Sequence, residues 1–250
     1  MRLEFADQGG RSFDLLRLPL TDRVVETRCV SRHRRTTVRL LTRCPHQRRW
    51  VAESRFSFQP ELLDLRPPIH LTGYFQSWRY FPTIGETLRT HLNTLDSPSQ
   101  AYETLARSLL GQQGLTTVHV RRGDYLNAQQ YHGMASDEYF AEALKRFHDS
   151  GSRLAVFTDD DTEWTPSWAE PYVPIIIRPR HLTDAREVLA LMSKGDTMIL
   201  SNSSFAWWSG WAGERPGQTV VAPRPWFADP ALDTRDLLPR HWLTLDLRAA

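Results

Sequence analysis

The fold is decided by Thr116-Thr117-Val118-His119-Val120-Arg121-Arg122-Gly123-Asp124-Tyr125, which reads as a short strand running into a charged, glycine-containing turn. Alternate side chains along a strand share a face. Val118 and Val120 therefore point one way, and His119 and Arg121 the other. A central strand of a parallel sheet is apolar on both faces, so a His and an Arg at its C-terminal end break the pattern. In open α/β sheets that end is where ligands sit. Two adjacent guanidiniums there, each able to hold a phosphate through two parallel hydrogen bonds, point to an anionic ligand such as a nucleotide diphosphate. The pair alone is a weak signal. Lys145 and Lys194 are the only lysines among 31 basic residues, and Arg34-Arg35 and Arg48-Arg49 stand in no motif.

Downstream of this strand the pattern is regular. A helix is expected over 136–147, with Phe140, Ala143, Leu144 and Phe147 inward. A strand over 154–157 leads to Thr158, Asp159, Asp160 and Asp161, and a short strand is expected over 174–177. Asp184 and Glu187 have capping-box spacing for a helix through Met192, stopped at Gly195. A strand over 197–200 runs into Ser201, Asn202, Ser203 and Ser204, where a helix over 205–212 begins. Residues 219–222 form the last clear strand. Strands alternating with helices predict a parallel α/β sheet.

Upstream, Pro67-Pro68 closes an Arg-rich region whose periodicity supports no assignment. A strand is expected over 69–74, followed by a helix with Ile84, Leu88 and Leu92 on one face. Ser97-Pro98 has the N-cap and first-position chemistry for a second helix that buries Tyr102, Leu105, Ala106 and Leu109. Gly111 and Gly114 bracket a hinge, which divides the chain into an N-terminal part (1–110) and a C-terminal part (111–250).

Composition narrows the partners. The 250 residues allow one large domain or two small ones, with the apolar and charged fractions of a soluble globular protein. A formal net charge of +2 does not suggest nucleic acid, the arginines are dispersed, and no nucleic-acid-binding module is present. Cys29 and Cys44 make no metal-ligand spacing. The N-terminus lacks the apolar core of a signal peptide, and no stretch approaches the ~20 apolar residues of a membrane span. A cytoplasmic protein is expected, with peripheral association at the inner face of the membrane compatible with that.

Three polar clusters fall at expected strand ends: His119 to Asp124, Thr158 to Asp161, and Ser201 to Ser204. A doubly wound sheet brings such ends to one edge. In the third cluster a strand becomes a helix, so unpaired N–H groups and the positive dipole end face the same edge, suited to capping or to a phosphate. Trp207 and Trp211, four residues apart, share a helix face and read as packing. From the residues alone the aspartates admit a solvated loop or a D-x-D metal site holding Mn²⁺ or Mg²⁺ against a diphosphate. The Arg pair already supplies neutralising charge, which disfavours the metal.

The string His119-Val120-Arg121-Arg122-Gly123-Asp124-Tyr125 resembles the first signature of the α-1,2-fucosyltransferases of glycosyltransferase family 11. More broadly it resembles the H-x-R-R-x-D signature shared by α-1,2-, α-1,6- and protein O-fucosyltransferases. Gly73-Tyr74-Phe75-Gln76 with Tyr80-Phe81 is similar to that family's G-Y-F-Q-x-x-x-Y-F string. Leu191-Met192-Ser193, followed by Asn202-Ser203-Ser204-Phe205-Ala206-Trp207-Trp208, is similar to its L-M-S and N-S-T-F-S-W-W segments, with Ser204 in place of Thr and Ala206 in place of Ser. The three signatures run in order from Gly73 to about Phe227.

The resemblance implies a GT-B-like α/β fold of two Rossmann-like halves. The N-terminal, acceptor-side half is expected to be truncated, because Gly9-Gly10 has none of the context of the family's G-x-L-G-N-Q loop. It implies inverting transfer of L-fucose from GDP-β-L-fucose to the 2-hydroxyl of a galactose-type acceptor, a glycan or lipid-linked oligosaccharide, in the making of a surface polysaccharide. By the same resemblance no metal or cofactor is required. Arg121, Arg122 and Asp124 are implied as catalytic residues, Arg121 on the diphosphate and Asp124 fixing the Arg pair. His119, Arg121, Asp159, Asp160, Asn202, Ser203 and Ser204 are implied as donor-binding residues, with His119 and Asp159 on guanine. The reading from another class is a truncated, non-catalytic GDP or nucleotide-sugar binding protein.

Overall fold

The computed structural model describes residues 3–5, 27–29, 49–66, 69–111, 113–122 and 134–247. Asp124 and the Gly9-Gly10 pair lie outside them. Six parallel strands form the main sheet: β5 (Leu115–Val120), β6 (Arg153–Thr158), β7 (Ile175–Ile177), β8 (Thr197–Ile199), β9 (Thr219–Arg224) and β10 (Leu243–Asp246). Their spatial order is β10-β9-β8-β5-β6-β7. Numbered from β5, this is the 3-2-1-4-5-6 order of the Rossmann sheet. The expected parallel α/β class is therefore observed. Two short parallel pairs, β1 (Leu3–Phe5) with β2 (Thr27–Cys29) and β3 (Arg49–Ala52) with β4 (Ile69–Thr72), belong to the N-terminal part.

Helices cover both faces of the sheet: α1 (Gly85–Asn93), α2 (Gln100–Leu109), α4 (Ala185–Met192) and α5 (Ser204–Ala212) on one side, α3 (Asp137–Phe147) on the other. The twofold alternation of strand residues decides which layer each fills. Ala155 and Phe157 join the core under α4 and α5, while Leu154 and Val156 join that under α3. Val118 and Val120 also face α3, as their spacing predicts. Each fully buried Leu, Val or Phe contributes about 1.5–3 kcal/mol, and the central strands β5, β6, β8 and β9, buried along most of their length, supply most of that in the sheet. Trp207 and Trp211 stack at 6.1 Å and 9° and are buried, the packing role their spacing suggests.

Four local expectations are corrected. Ser99, not Ser97, caps α2: its Oγ accepts from the Tyr102 N–H at 3.1 Å. Glu187 does not close a capping box with Asp184. Its buried carboxylate instead accepts from the Ser99 N–H at 2.6 Å and the Ser99 hydroxyl at 2.7 Å, joining α4 to the start of α2. Ile84 is the N-cap of α1 and half exposed rather than part of its buried stripe. The sheet also continues past residue 222, with β10 beside β9. Helices α1 and α2 pack onto α4 and α5, so Leu109 and, in part, Leu88 and Leu92 enter the same core as the main sheet.

Candidate functional site

The chain order reverses between β5 and β8, and the crevice at their carboxyl ends is where such a sheet binds ligands. Three strand exits meet there, because β5 pairs with β6 on one side and β8 on the other. His119 is the last inward polar residue of β5 and is buried. Its Nδ1 lies 2.8 Å from the Ser201 hydroxyl, just beyond β8, and its ring is 5.8 Å from Phe205. Burial disfavours the imidazolium and lowers the His119 pKa to about 4; Asp159 opposes that shift and Arg121 adds to it. His119 is thus neutral at physiological pH. The exit of β8 is held from the other layer by Tyr139 of α3, whose buried hydroxyl donates to the Leu200 carbonyl at 2.8 Å. Burial raises the Tyr139 pKa well above its usual value, so it stays a donor.

The exits of β5 and β6 are joined by charge. Asp159 accepts from the Arg122 backbone N–H at 2.7 Å through Oδ1 and pairs with Arg121 Nη1 at 3.1 Å through Oδ2. Asp160 accepts from Arg122 Nε at 3.1 Å, and its other oxygen accepts from the Thr162 N–H at 2.9 Å. Hydrogen bonding to Thr162, helped by Arg122, holds the Asp160 carboxyl below its usual range. The Arg122 guanidinium lies over Trp164, 4.1 Å from the ring centroid. The two arginines and two aspartates are therefore one assembly, partly open to solvent at the carboxyl edge. Asp161 stands apart, paired with Arg180. Among the described residues no group of three or more His, Cys, Asp or Glu side chains is arranged to hold a metal.

The third cluster begins α5. Asn202 is buried and donates from Nδ2 to the Trp226 carbonyl at 3.1 Å, which ties the turn to the segment after β9. Ser203 is the N-cap residue, but its hydroxyl caps no helix N–H. This sets α5 apart from α2, α3 and α4, whose N-caps Ser99, Ser136 and Asp184 all accept from a first-turn N–H. The first-turn amides of α5 and its positive dipole end are directed to the same edge without a side-chain cap, an arrangement suited to an anion. Ser204 is exposed in the first turn. Of the expected site residues, the structure joins Arg121 and Arg122 to Asp159 and Asp160, and sets His119 against the turn that carries Asn202, Ser203 and Ser204.

Sequence reasoning passed over Tyr139, Trp164 and Arg178, and gave Ser201 a place in a polar cluster but no role of its own. Ser201 was legible as a polar residue at a strand end. The other three act through contacts with residues 14–61 positions away, which no local pattern encodes. The Gly73–Ser77 turn is built around Glu53, whose carboxylate accepts from the Tyr74 N–H at 2.8 Å and the Phe75 N–H at 3.1 Å. A Cβ on Gly73 would lie 2.4 Å from the Glu53 Cβ, so glycine is required there. Phe75 pays for the turn with φ of 50°.

Fold and site together define an α/β protein with a Rossmann-ordered sheet and a charged, anion-suited switch point. Its family is narrower: residues 28–246 match glycosyl transferase family 11, and the chain belongs to that family. It is 26% identical over 189 residues to an alpha-1,2-colitosyltransferase of Escherichia coli, covering 73% of this chain and 64% of that protein. It is 30% identical over 118 residues to the O-antigen biosynthesis glycosyltransferase WbnK of Escherichia coli, covering 45% and 39%. To the human galactoside alpha-(1,2)-fucosyltransferase 1 it is 32% identical over 128 residues, covering 46% and 33%. The chain thus spans less than two thirds of the length of each of these relatives. Among the described residues no helix is long and apolar enough to cross a membrane.

Proposed function

We propose that this chain carries the donor site of an inverting, metal-independent glycosyltransferase of GT-B type that moves L-fucose from GDP-β-L-fucose to the 2-hydroxyl of a galactose-type acceptor. The observation that carries the reading is the Arg121-Arg122 pair at the β5 exit, oriented by Asp159 and Asp160 beside an uncapped helix N-terminus. The 1,2-linkage in the names of two relatives supports the regiochemistry.

In this reaction the acceptor oxygen attacks C1 from the face opposite the nucleotide. The C1–O bond to the β-phosphate breaks, GDP leaves with the electron pair, and the proton of the acceptor hydroxyl passes to solvent water. Charge grows on the leaving diphosphate, so donors fixed near it lower the barrier. Arg121 is assigned to the diphosphate with Arg122 beside it, and Ser203, Ser204 and the α5 amides add hydrogen bonds. Asn202 and Asp160 shape the pocket around them, and Asp124 is assigned to fixing the Arg pair. Neutral His119 and Asp159 are assigned to guanine. A carboxylate offers about four lone-pair sites, so Asp159 can accept from the Arg pair and still receive guanine's N1–H and N2–H. The fixed guanidinium charge takes the place of a divalent cation.

The test is GDP binding followed by fucosyl transfer to a terminal galactoside, each with and without EDTA, with product anomers read by NMR. Binding and transfer that survive chelation and give the α-1,2 product are expected. Loss of GDP affinity on chelation would overturn the metal-free assignment. Intact GDP binding without transfer to any galactoside would favour a non-catalytic nucleotide-sugar binder.

A further inference from the structure

We infer that Arg178, acting through Trp164, is a positioning residue for Arg122, and that Trp164 sets the plane of the guanidinium that meets the donor diphosphate. The inference rests on the donor-site reading above and extends it to two residues that no motif contains. Arg178 follows β7 and is only 7% exposed. A buried guanidinium is costly unless its donors are satisfied. Here Nε donates to the Thr162 carbonyl and Nη2 to the Trp164 carbonyl, both at 2.7 Å. A planar fork can hold two carbonyls two residues apart; a lysine ammonium, a point donor on a flexible stem, does this poorly. Arg180 grips the same loop from its outer side, pairing with Glu163 at 2.6 Å and with Asp161.

The clamped loop then reaches Arg122 from two directions. In the guanidinium plane, Asp160 accepts from Nε, and Asp160 is itself held by the Thr162 N–H. Perpendicular to the plane, the Trp164 ring lies 4.1 Å from the guanidinium carbon. One contact fixes rotation within the plane and the other fixes the plane. Donors on Nη1 and Nη2 are thereby presented in one orientation, the requirement for bidentate recognition of a phosphate. Both restraints come from the loop at 160–164, and Arg178 anchors its main chain.

The experiment is a double-mutant cycle read by GDP affinity in calorimetry. Trp164→Ala is expected to weaken GDP binding about three- to tenfold, the range of a partly desolvated cation–π contact. Trp164→Phe, which keeps an aromatic face, should recover most of it. Arg178→Lys should lose a similar factor despite keeping its charge. In an Arg122→Ala background the Trp164→Ala and Arg178→Lys losses should vanish, because the residue they act through is gone. Equal losses in both backgrounds would overturn the inference, since a merely structural role adds independently of Arg122. Should Arg178→Lys fail to fold, the Trp164→Ala and Trp164→Phe pair, at a less buried position, decides the matter alone. A wild-type protein that binds no GDP would remove the donor-site reading and this inference with it, an outcome distinct from additive losses in a protein that does bind.

Discussion

Acidification should destabilise this protein through His119 by an amount that can be isolated. In the folded state burial lowers its pKa to about 4, while an unfolded chain returns it to about 6.5. Below the unfolded value the unfolded chain therefore binds the extra proton first. The stability contributed by keeping His119 neutral is complete above about pH 6.5, falls as pH drops, and is fully lost only near pH 4. Linkage over the two pKa values gives a loss of about 2 kcal/mol between pH 7.5 and pH 5, about a thirtyfold change in the folding equilibrium. His119→Asn supplies the reference: its carboxamide can reach the position of Nδ1 and keep a partner for the Ser201 hydroxyl, yet it does not titrate. Urea unfolding of both proteins at each pH yields the two stabilities. The gap between wild type and variant should narrow by about 2 kcal/mol on acidification, whatever the variant's baseline cost. Parallel stability–pH curves for the two proteins would refute the reasoning and mean that His119 accepts its proton without unfolding.

Two further outcomes concern the proposed donor site. Asp159→Asn is expected to weaken GDP more than IDP, which lacks the guanine N2 amine; equal losses would take guanine recognition away from Asp159. Arg121→Lys keeps a charge but loses the planar fork, so turnover should fall beyond the loss in donor affinity and recover only part of what Arg121→Ala removes. Full activity in Arg121→Lys would end the diphosphate assignment.

The sheet was legible because its strands are short apolar runs buried on both faces and punctuated by polar exits, a pattern local to each segment. Where burial is one-sided the signal thinned. The strand β10 was missed because, at the sheet edge, Leu243 and Thr244 are exposed and only Leu247 beyond its end is fully buried. Cap chemistry misled where a tertiary partner competed. Ser97-Pro98 and the Asp184–Glu187 spacing both fit local rules, but the Glu187 carboxylate satisfies two donors of Ser99, a stronger outcome than one returning bond within its own helix. For the site, charge at strand ends was readable and the pairing among those charges was not. Nothing in Arg-Arg and Asp-Asp says which aspartate takes which arginine, or that Trp164 lies beneath one of them. Arg178 follows an isoleucine run and carries no sequence mark of its role.

That pairing sets two physical effects against each other, and Asp160→Asn separates them. By charge alone, an aspartate beside Arg122 opposes an incoming diphosphate. Removing one negative charge about 4 Å away should tighten binding by about 1 kcal/mol at a water-like dielectric and by up to about 4 kcal/mol at the effective dielectric of about 20 typical near a protein surface. By pre-organisation, the same carboxylate is what holds Arg122 in its working orientation. An unrestrained arginine gives up about 2 kcal/mol of rotamer entropy when fixed, and in this protein Asp160 and Trp164 impose that cost during folding rather than at binding. Asparagine keeps the shape and an acceptor for the Thr162 N–H, but it exchanges a charge-assisted bond to Nε for a neutral one about half as strong. If orientation governs the site, Asp160→Asn binds GDP and pyrophosphate more weakly than wild type even though it is less negative. Raising the salt, which screens the charge effect and leaves the orientation effect, should then widen the deficit. Tighter binding by the variant at every ionic strength would mean that Asp160 acts only as a counter-charge, and that the Arg pair needs no template.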